Sequence, residues 1–339
     1  MRRCLGRENR GFLCYALMLL GTLFALAAGL MWGLVFVGPL MLSDYPAVML
    51  SFGRYLAFGL IALPLAWWDR AALRQLSRDD WLEALKLALV GNVIYYLCLS
   101  SAIQRAGAPL PTMVIGTLPV VIAITANRRN AARDGRLPWA RLAPSLSLIG
   151  LGLALVNEAE WAALRADPNA DLGRYALGAG IALVALACWT WYPIRNADWL
   201  RAHADRSPRT WATAQGLATL PLAVLGFGLT WAVFAWQDAP WEMPLGPRPQ
   251  AYVGLMLAIG LLASWLGTLC WNEASQRLPT HIAGQLIVFE TLSALAYAFV
   301  LRGEWPGPLT AGGIVLLVAG VWWALRVRPE PVAAEGHPN

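Results

Sequence analysis

The sequence predicts an all-α integral membrane protein of ten transmembrane helices, built as two five-helix halves of opposite orientation. Three observations predict it: apolar residues gathered in blocks, a one-sided placement of positive charge, and an internal repeat. Hydrophobic residues make up 58% of the 339 and charged residues 14%, against about 45–50% and about 25% in soluble domains. Mean hydropathy is +0.52. A soluble chain of this composition would expose large apolar patches and aggregate. Soluble, disordered, collagen-like and disulfide-scaffold classes are excluded. The apolar blocks run to about 20 residues, one crossing each of a bilayer core about 30 Å thick.

Taken in order, the first block covers 12–37. Arg2, Arg3, Arg7 and Arg10 precede it, and Ala27-Ala28-Gly29 looks like a signal cleavage site, but the apolar run continues past it and predicts a retained span. The second, 48–68, carries Arg54 and ends on Trp67-Trp68. The third (84–103), fourth (108–127, with Pro119 inside) and fifth (142–157) are shorter or interrupted. The second half supplies 175–193, 211–236, 251–271, 281–300 and 309–325. The halves are then 12–157 and 175–325, with tails 1–11 and 326–339.

With the N-terminus inside, 20 of the 26 Lys and Arg residues fall on cytoplasmic segments and five outside; Arg54 lies within a span. That asymmetry predicts both termini in the cytoplasm. It also accounts for the net charge of +6, so nucleic acid is not expected as a partner. Tryptophans at span ends, among them Trp236, Trp305 and Trp322, fit an interfacial belt against the lipid bilayer. The five cysteines suggest neither disulfides nor a metal site, and no cofactor is expected.

The repeat has a spacing of about 172 residues: Leu97-Cys98, Ala102 and Gln104-Arg105 correspond to Leu269-Cys270, Ala274 and Gln276-Arg277. Gly135 to Gly152 likewise resembles Gly303 to Gly320, with Pro138 on Pro306. Five spans per half force opposite orientations, so Arg105 is expected outside and Arg277 inside. Inverted repeats are a carrier signature, because two exchangeable packings give inward-open and outward-open states around one midplane site.

Several motifs fit one family. Met31-Trp32-Gly33, Gly53-Arg54-Tyr55, Cys188-Trp189 with Tyr192 and Arg195, and the terminal series Phe289-Glu290, Gly303-Glu304, Gly312-Gly313 and Gly320 together resemble the EamA-type branch of the drug/metabolite transporter superfamily. The resemblance spans nearly the whole chain. It departs at Leu118-Pro119, where Glu-Pro is the family pattern, at Glu290-Thr291, which lacks the proline, and at Gly135-Arg136. It implies ten spans in two repeats, a bacterial-type inner membrane, and export of a small metabolite, amino acid or drug from the cytoplasm. Cargo, direction, coupling ion and oligomeric state, monomer or homodimer, stay open.

Of the 20 acidic residues, Glu290 is the one expected near mid-span, about 13 Å deep at a 1.5 Å rise per residue. It reads either as a cavity carboxyl for proton coupling or cation binding, or as a helix-packing group. Helical spacing puts Ser293, Ala294 and Tyr297 on its side. Arg54 either snorkels to the outer interface or serves as a cavity cation that binds a carboxylate substrate or pairs with Glu290, with Gln215 opposite it in the second half. Asn92, Tyr95, Tyr96, Thr117, Trp189, Tyr192, Gln285 and Trp32 are the other candidates for an aromatic-lined pocket. Pro119 is expected to kink the fourth span, for gating or for packing. Gly29 and Gly33 form a helix-contact pair. No HExxH, Walker loop or GxSxG elbow is present. The rival readings are an intramembrane transferase using Glu290 or His281 as base, and a non-transporting sensor.

Overall fold

The computed structural model describes residues 7–107, 109–129, 138–166, 171–237, 241–303 and 305–327. Among these every regular element is helical. Seven helices among the described residues are long and apolar enough to cross a membrane: Ala16–Met41, Ala47–Trp68, Arg78–Ala106, Leu172–Ala202, Pro208–Trp236, Pro249–Arg277 and Ile282–Leu301. Three shorter apolar stretches, Leu110–Ile122, Trp139–Leu155 and Pro308–Gly320, fall where the fourth, fifth and tenth spans were expected.

In chain order the helices are α1 (Arg7–Met41), α2 (Ala47–Trp68), the single turn α3 (Arg70–Leu73), α4 (Arg78–Leu87), α5 (Tyr95–Ala106), α6 (Pro109–Gly116), α7 (Leu118–Arg129) and α8 (Trp139–Ala166). Then follow α9 (Leu172–Ala202), α10 (Pro208–Trp236), α11 (Pro249–Ile259), α12 (Gly267–Arg277), α13 (Thr280–Leu286), α14 (Val288–Arg302) and α15 (Pro308–Arg326). Local chemistry sets the ends. Ser77 and Asp80 form a reciprocal capping box on α4. Proline occupies the first turn of α10 and of α11, where its missing N–H costs nothing.

Most helices outrun their predicted spans, because an apolar window ends at the hydrocarbon edge while helical hydrogen bonding continues into the polar interface. The predicted tail 1–11 is thus already helical from Arg7, and α9 runs to Ala202 rather than 193. Residues 328–339 and Glu304 lie outside the described residues, as do 130–137 with Gly135-Arg136.

Two wide π-helical turns interrupt the third and eighth spans, at Ala88–Ile94 and Gly260–Leu266. They join α4 to α5 and α11 to α12, and lie 172 residues apart, the spacing of the sequence repeat. The expected fourth and ninth spans each carry a one-residue interruption, between α6 and α7 at Thr117 and between α13 and α14 at Ile287. Pro119 sits in the first turn of α7, where it cannot donate to the carbonyl four residues back, and the helix is interrupted beside it at Thr117, near the expected kink. Packing follows the same correspondence. The most extensive contacts are α8 with α15 and α2 with α10; α1 lies on α12 as α9 lies on α5.

Close approach of α1 to α14 depends on small residues. A Cβ at Gly33 would sit 2.6 Å from Ser293 Cβ, and one at Gly29 would sit 3.1 Å from the Glu290 nitrogen. Gly33→Val should cost about 1–3 kcal/mol through overpacking, visible as a lower melting temperature in detergent. Gly150→Ala, with nothing within 4 Å of the added methyl, should be neutral or slightly stabilising.

Polar ties close both ends of the bundle. At one end the Arg248 guanidinium hydrogen-bonds Asp44, with Nε 3.0 Å from Oδ2. Tyr45 accepts from the Arg248 amide at 2.8 Å and donates to the Leu245 carbonyl at 2.8 Å. At the other end Arg209 Nη2 lies 2.6 Å from Asp69 Oδ1, and Arg129 Nη2 lies 2.9 Å from Asp198 Oδ2. Hydrogen bonds from Arg248 hold the Asp44 carboxyl below its ordinary range. The stability from that tie is therefore present at neutral pH and lost as pH falls through the lowered value. Thermal melts of the wild type and Asp44→Asn should differ at neutral pH and converge in acid.

Candidate functional site

Near the middle of the bundle a small internal cavity is lined by Trp32 of α1, Arg54 and Tyr55 of α2, Asn92 and Tyr95 of the third span, Trp189 of α9, Ser264 and Thr268 of the eighth, and Glu290 of α14. Its water-accessible volume is about 10 Å³, room for about one water molecule. The π-helical turns supply part of the wall. Asn92 and Ser264 each come from one such turn, at positions 172 residues apart. A π-turn inserts a residue and rotates the face that follows, which is why such turns gather at functional sites.

Arg54 is 5% exposed. It does not reach an interface, so the snorkelling expectation is not met; neighbouring helices enclose the side chain before it can extend. Its Nε donates to Ser264 Oγ at 2.9 Å. Its guanidinium carbon stands 4.5 Å from the Tyr96 ring and 4.9 Å from the Tyr55 ring, a favourable place for a cation. Nη1 is buried without a hydrogen-bond partner.

Glu290, in the first turn of α14, is 1% exposed and accepts from Trp189 Nε1 at 3.3 Å. It lines the same cavity as Arg54, and among the described residues no ion pair joins the two. Aromatic rings complete the enclosure. Tyr95, Trp189 and Tyr192 stack in a column with centroids 4.5 and 5.1 Å apart, and Trp32 meets Trp189 edge-on at 4.9 Å. The result is a cation with a spare donor, a carboxyl and flat aromatic faces around one space.

The other sequence candidates separate into neighbours and outliers. Tyr96 donates to the Val35 carbonyl at 3.2 Å and lies under the Arg54 guanidinium. Asn92 donates to Thr219 Oγ1 at 3.1 Å. Tyr192 donates to Gln215 Oε1 at 2.8 Å, and Gln215 Nε2 donates to Asn196 Oδ1 at 3.1 Å. Asn196 passes the chain to Asn272 Oδ1 at 2.8 Å, and Asn272 to the Pro208 carbonyl at 3.2 Å. A buried polar seam thus runs from the cavity toward one end of the bundle.

Ser293 and Tyr297 do not face the cavity. Ser293 Oγ donates to the Phe289 carbonyl at 2.7 Å beside Gly33, and Tyr297 donates to the Leu30 carbonyl at 2.8 Å. The stripe beyond Glu290 is the seam with α1. Gln285 is 2% exposed, with neither amide atom hydrogen-bonded, and is not among the cavity-lining residues. Thr117 turns back on the Val114 carbonyl at 2.6 Å, at the break of the fourth span. Tyr55 was noted from sequence only within the Gly53-Arg54-Tyr55 motif, and Ser264 and Thr268 were not singled out, nor were Asn196 and Asn272, which lie just past the predicted ends of spans six and eight. For Ser264 a signal existed: it is the repeat counterpart of Asn92.

Comparisons with known proteins agree with this architecture. Residues 19–127 match the model of the EamA-like transporter family. The chain is 54% identical over 318 residues to inner membrane protein YtfF of Escherichia coli (strain K12), covering 94% of this chain and 98% of the relative. It is 26% identical over 311 residues to a Streptantibioticus cattleyicolor protein named probable terminal-alkyne amino-acid exporter, covering 86% and 91%. A solved crystal structure with 18% identity superposes at a TM-score of 0.64, covering 90% of this chain and 96% of that one; this is a likeness of fold. Identity above half, kept over almost the full length of both chains, places the protein in the EamA-like transporter family, as a multi-pass membrane transporter.

Proposed function

We propose that the protein exports a small carboxylate-bearing solute, an amino acid or close relative, from the cytoplasm by alternating access. Arg54 holds the carboxylate, the aromatic column takes the apolar part, and Glu290 couples movement to a proton. The observation that carries this is the buried Arg54 guanidinium, with an unpartnered Nη1, in a cavity whose walls include Glu290. Leaving such a donor unpaired in an apolar interior costs free energy, and a carboxylate that pairs with it offsets that cost in the bound state. The name of the Streptantibioticus relative points to the same solute class.

Alternating access requires two exchangeable arrangements. We read the chain as ten spans in two inverted halves, 12–157 and 175–325, with both termini in the cytoplasm. Support comes from the π-helical turns 172 residues apart, the breaks in the fourth and ninth spans, and the paired packing of corresponding helices. The polar ties at both ends and the one-water cavity fit an occluded intermediate.

Flux of radiolabelled L-amino acids in proteoliposomes tests the proposal. Gradient-dependent movement of chemically unchanged solute supports a carrier. A changed product would favour the intramembrane transferase instead, and neither movement nor product would favour a sensor.

A further inference from the structure

A second cavity of similar size lies beyond the tryptophans, and the geometry points to it as an inner station on the solute route, between the central cavity and the cytoplasmic face. This inference rests on the carrier reading above. The space is enclosed by Pro193 and Ala197 of α9, Trp271 and Ser275 of α12, and Thr280 and Gly284 of α13, with Ile122 of α7 opposite. Trp271 is the partition: its ring stands 5.2 Å from that of Trp32, which lines the central cavity.

Two of the wall side chains are buried donors with nothing to donate to. Trp271 is 2% exposed and Ser275 1%, and neither Trp271 Nε1 nor Ser275 Oγ has a hydrogen-bond partner. Buried polar groups in proteins are nearly always paired. Both side chains belong to the wall of one space between the broken spans, and once that space opens their donors suit a ligand with a hydrogen-bond-accepting head, the carboxylate that Arg54 holds one step further in.

The route is shut in this structure. Water-accessible volume here is about 10 Å³, room for about one water. The halves of the broken spans meet at this point, since a Cβ on Gly284 would come within 2.5 Å of Ile122. Arg201 closes the far side, donating to Thr280 Oγ1 and to the Leu278 carbonyl, each at 2.6 Å. Separation of α7 from α13 would therefore open the station.

The test introduces Ser275→Cys into an otherwise cysteine-free chain, with Ala263→Cys on the central wall as its companion. Each is labelled with a membrane-impermeant methanethiosulfonate in oriented vesicles, with and without a mixture of proteinogenic L-amino acids. We expect the Ser275→Cys thiol to be labelled from the cytoplasmic side and not from outside, and the mixture to slow labelling in both variants. Slowing in Ala263→Cys alone overturns the inner station and leaves the central reading standing; slowing in neither overturns both. Labelling of the Ser275→Cys thiol from the outside alone also overturns it. Trp271→Phe gives an independent check, keeping a ring while removing the N–H. It should lower the export rate about fivefold, the worth of one hydrogen bond, with solute affinity at Arg54 unchanged. An unaltered rate would contradict the proposal.

Discussion

Arg54→Ala is expected to lower the apparent affinity for a carboxylate-bearing solute about a hundredfold. The side chain can offer charge-assisted hydrogen bonds from a site with little competing water, and losing such a contact costs about 1.5–3 kcal/mol. Arg54→Lys should fall between, near tenfold, because an ammonium keeps the charge but not the planar fork that matches a carboxylate. It would also change the contact to Ser264 and the seat over Tyr96. Concentration-dependent uptake into proteoliposomes measures both variants, with the melting temperature as a folding control. A loss of folded protein at unchanged affinity would mark Arg54 as structural.

Glu290→Gln should abolish stimulation by an imposed pH gradient while leaving solute exchange at equal pH nearly intact. Among the side chains that line the central cavity, Glu290 is the one carboxyl. The amide has the same shape and keeps an acceptor for the Trp189 N–H, so packing should survive. What it cannot do is change charge. Gradient-driven uptake against solute exchange in the same vesicles separates the two effects. Stimulation that persists in Glu290→Gln would remove Glu290 from coupling and return it to a packing role between α14 and α9.

Much of this was legible in the chain. Apolar blocks located the seven helices that, among the described residues, are long and apolar enough to cross a membrane, and two charges deep within the blocks, Arg54 and Glu290, do line one cavity. The 172-residue repeat, read from Leu97-Cys98 and Leu269-Cys270, reappears as two π-helical turns at that spacing. Other features were not legible, for physical reasons. Helical spacing says which residues share a face but not what that face meets, so Ser293 and Tyr297 were grouped with the cavity when they pack on α1. Whether Arg54 snorkels depends on helices distant in sequence. Asn196 and Asn272 were passed over because hydropathy sees the edge of the hydrocarbon, not the end of the helix. The π-turns leave no trace in an apolar window, although they aim Asn92 and Ser264 inward.

The central claim is that a buried guanidinium selects the cargo by its carboxylate. Flux of an aromatic L-amino acid against its decarboxylated amine, in the same wild-type proteoliposomes, tests it most directly. The account predicts that the amino acid is transported and the amine is not, and that Arg54→Ala removes the difference. Equal transport of the two by the wild type would contradict it.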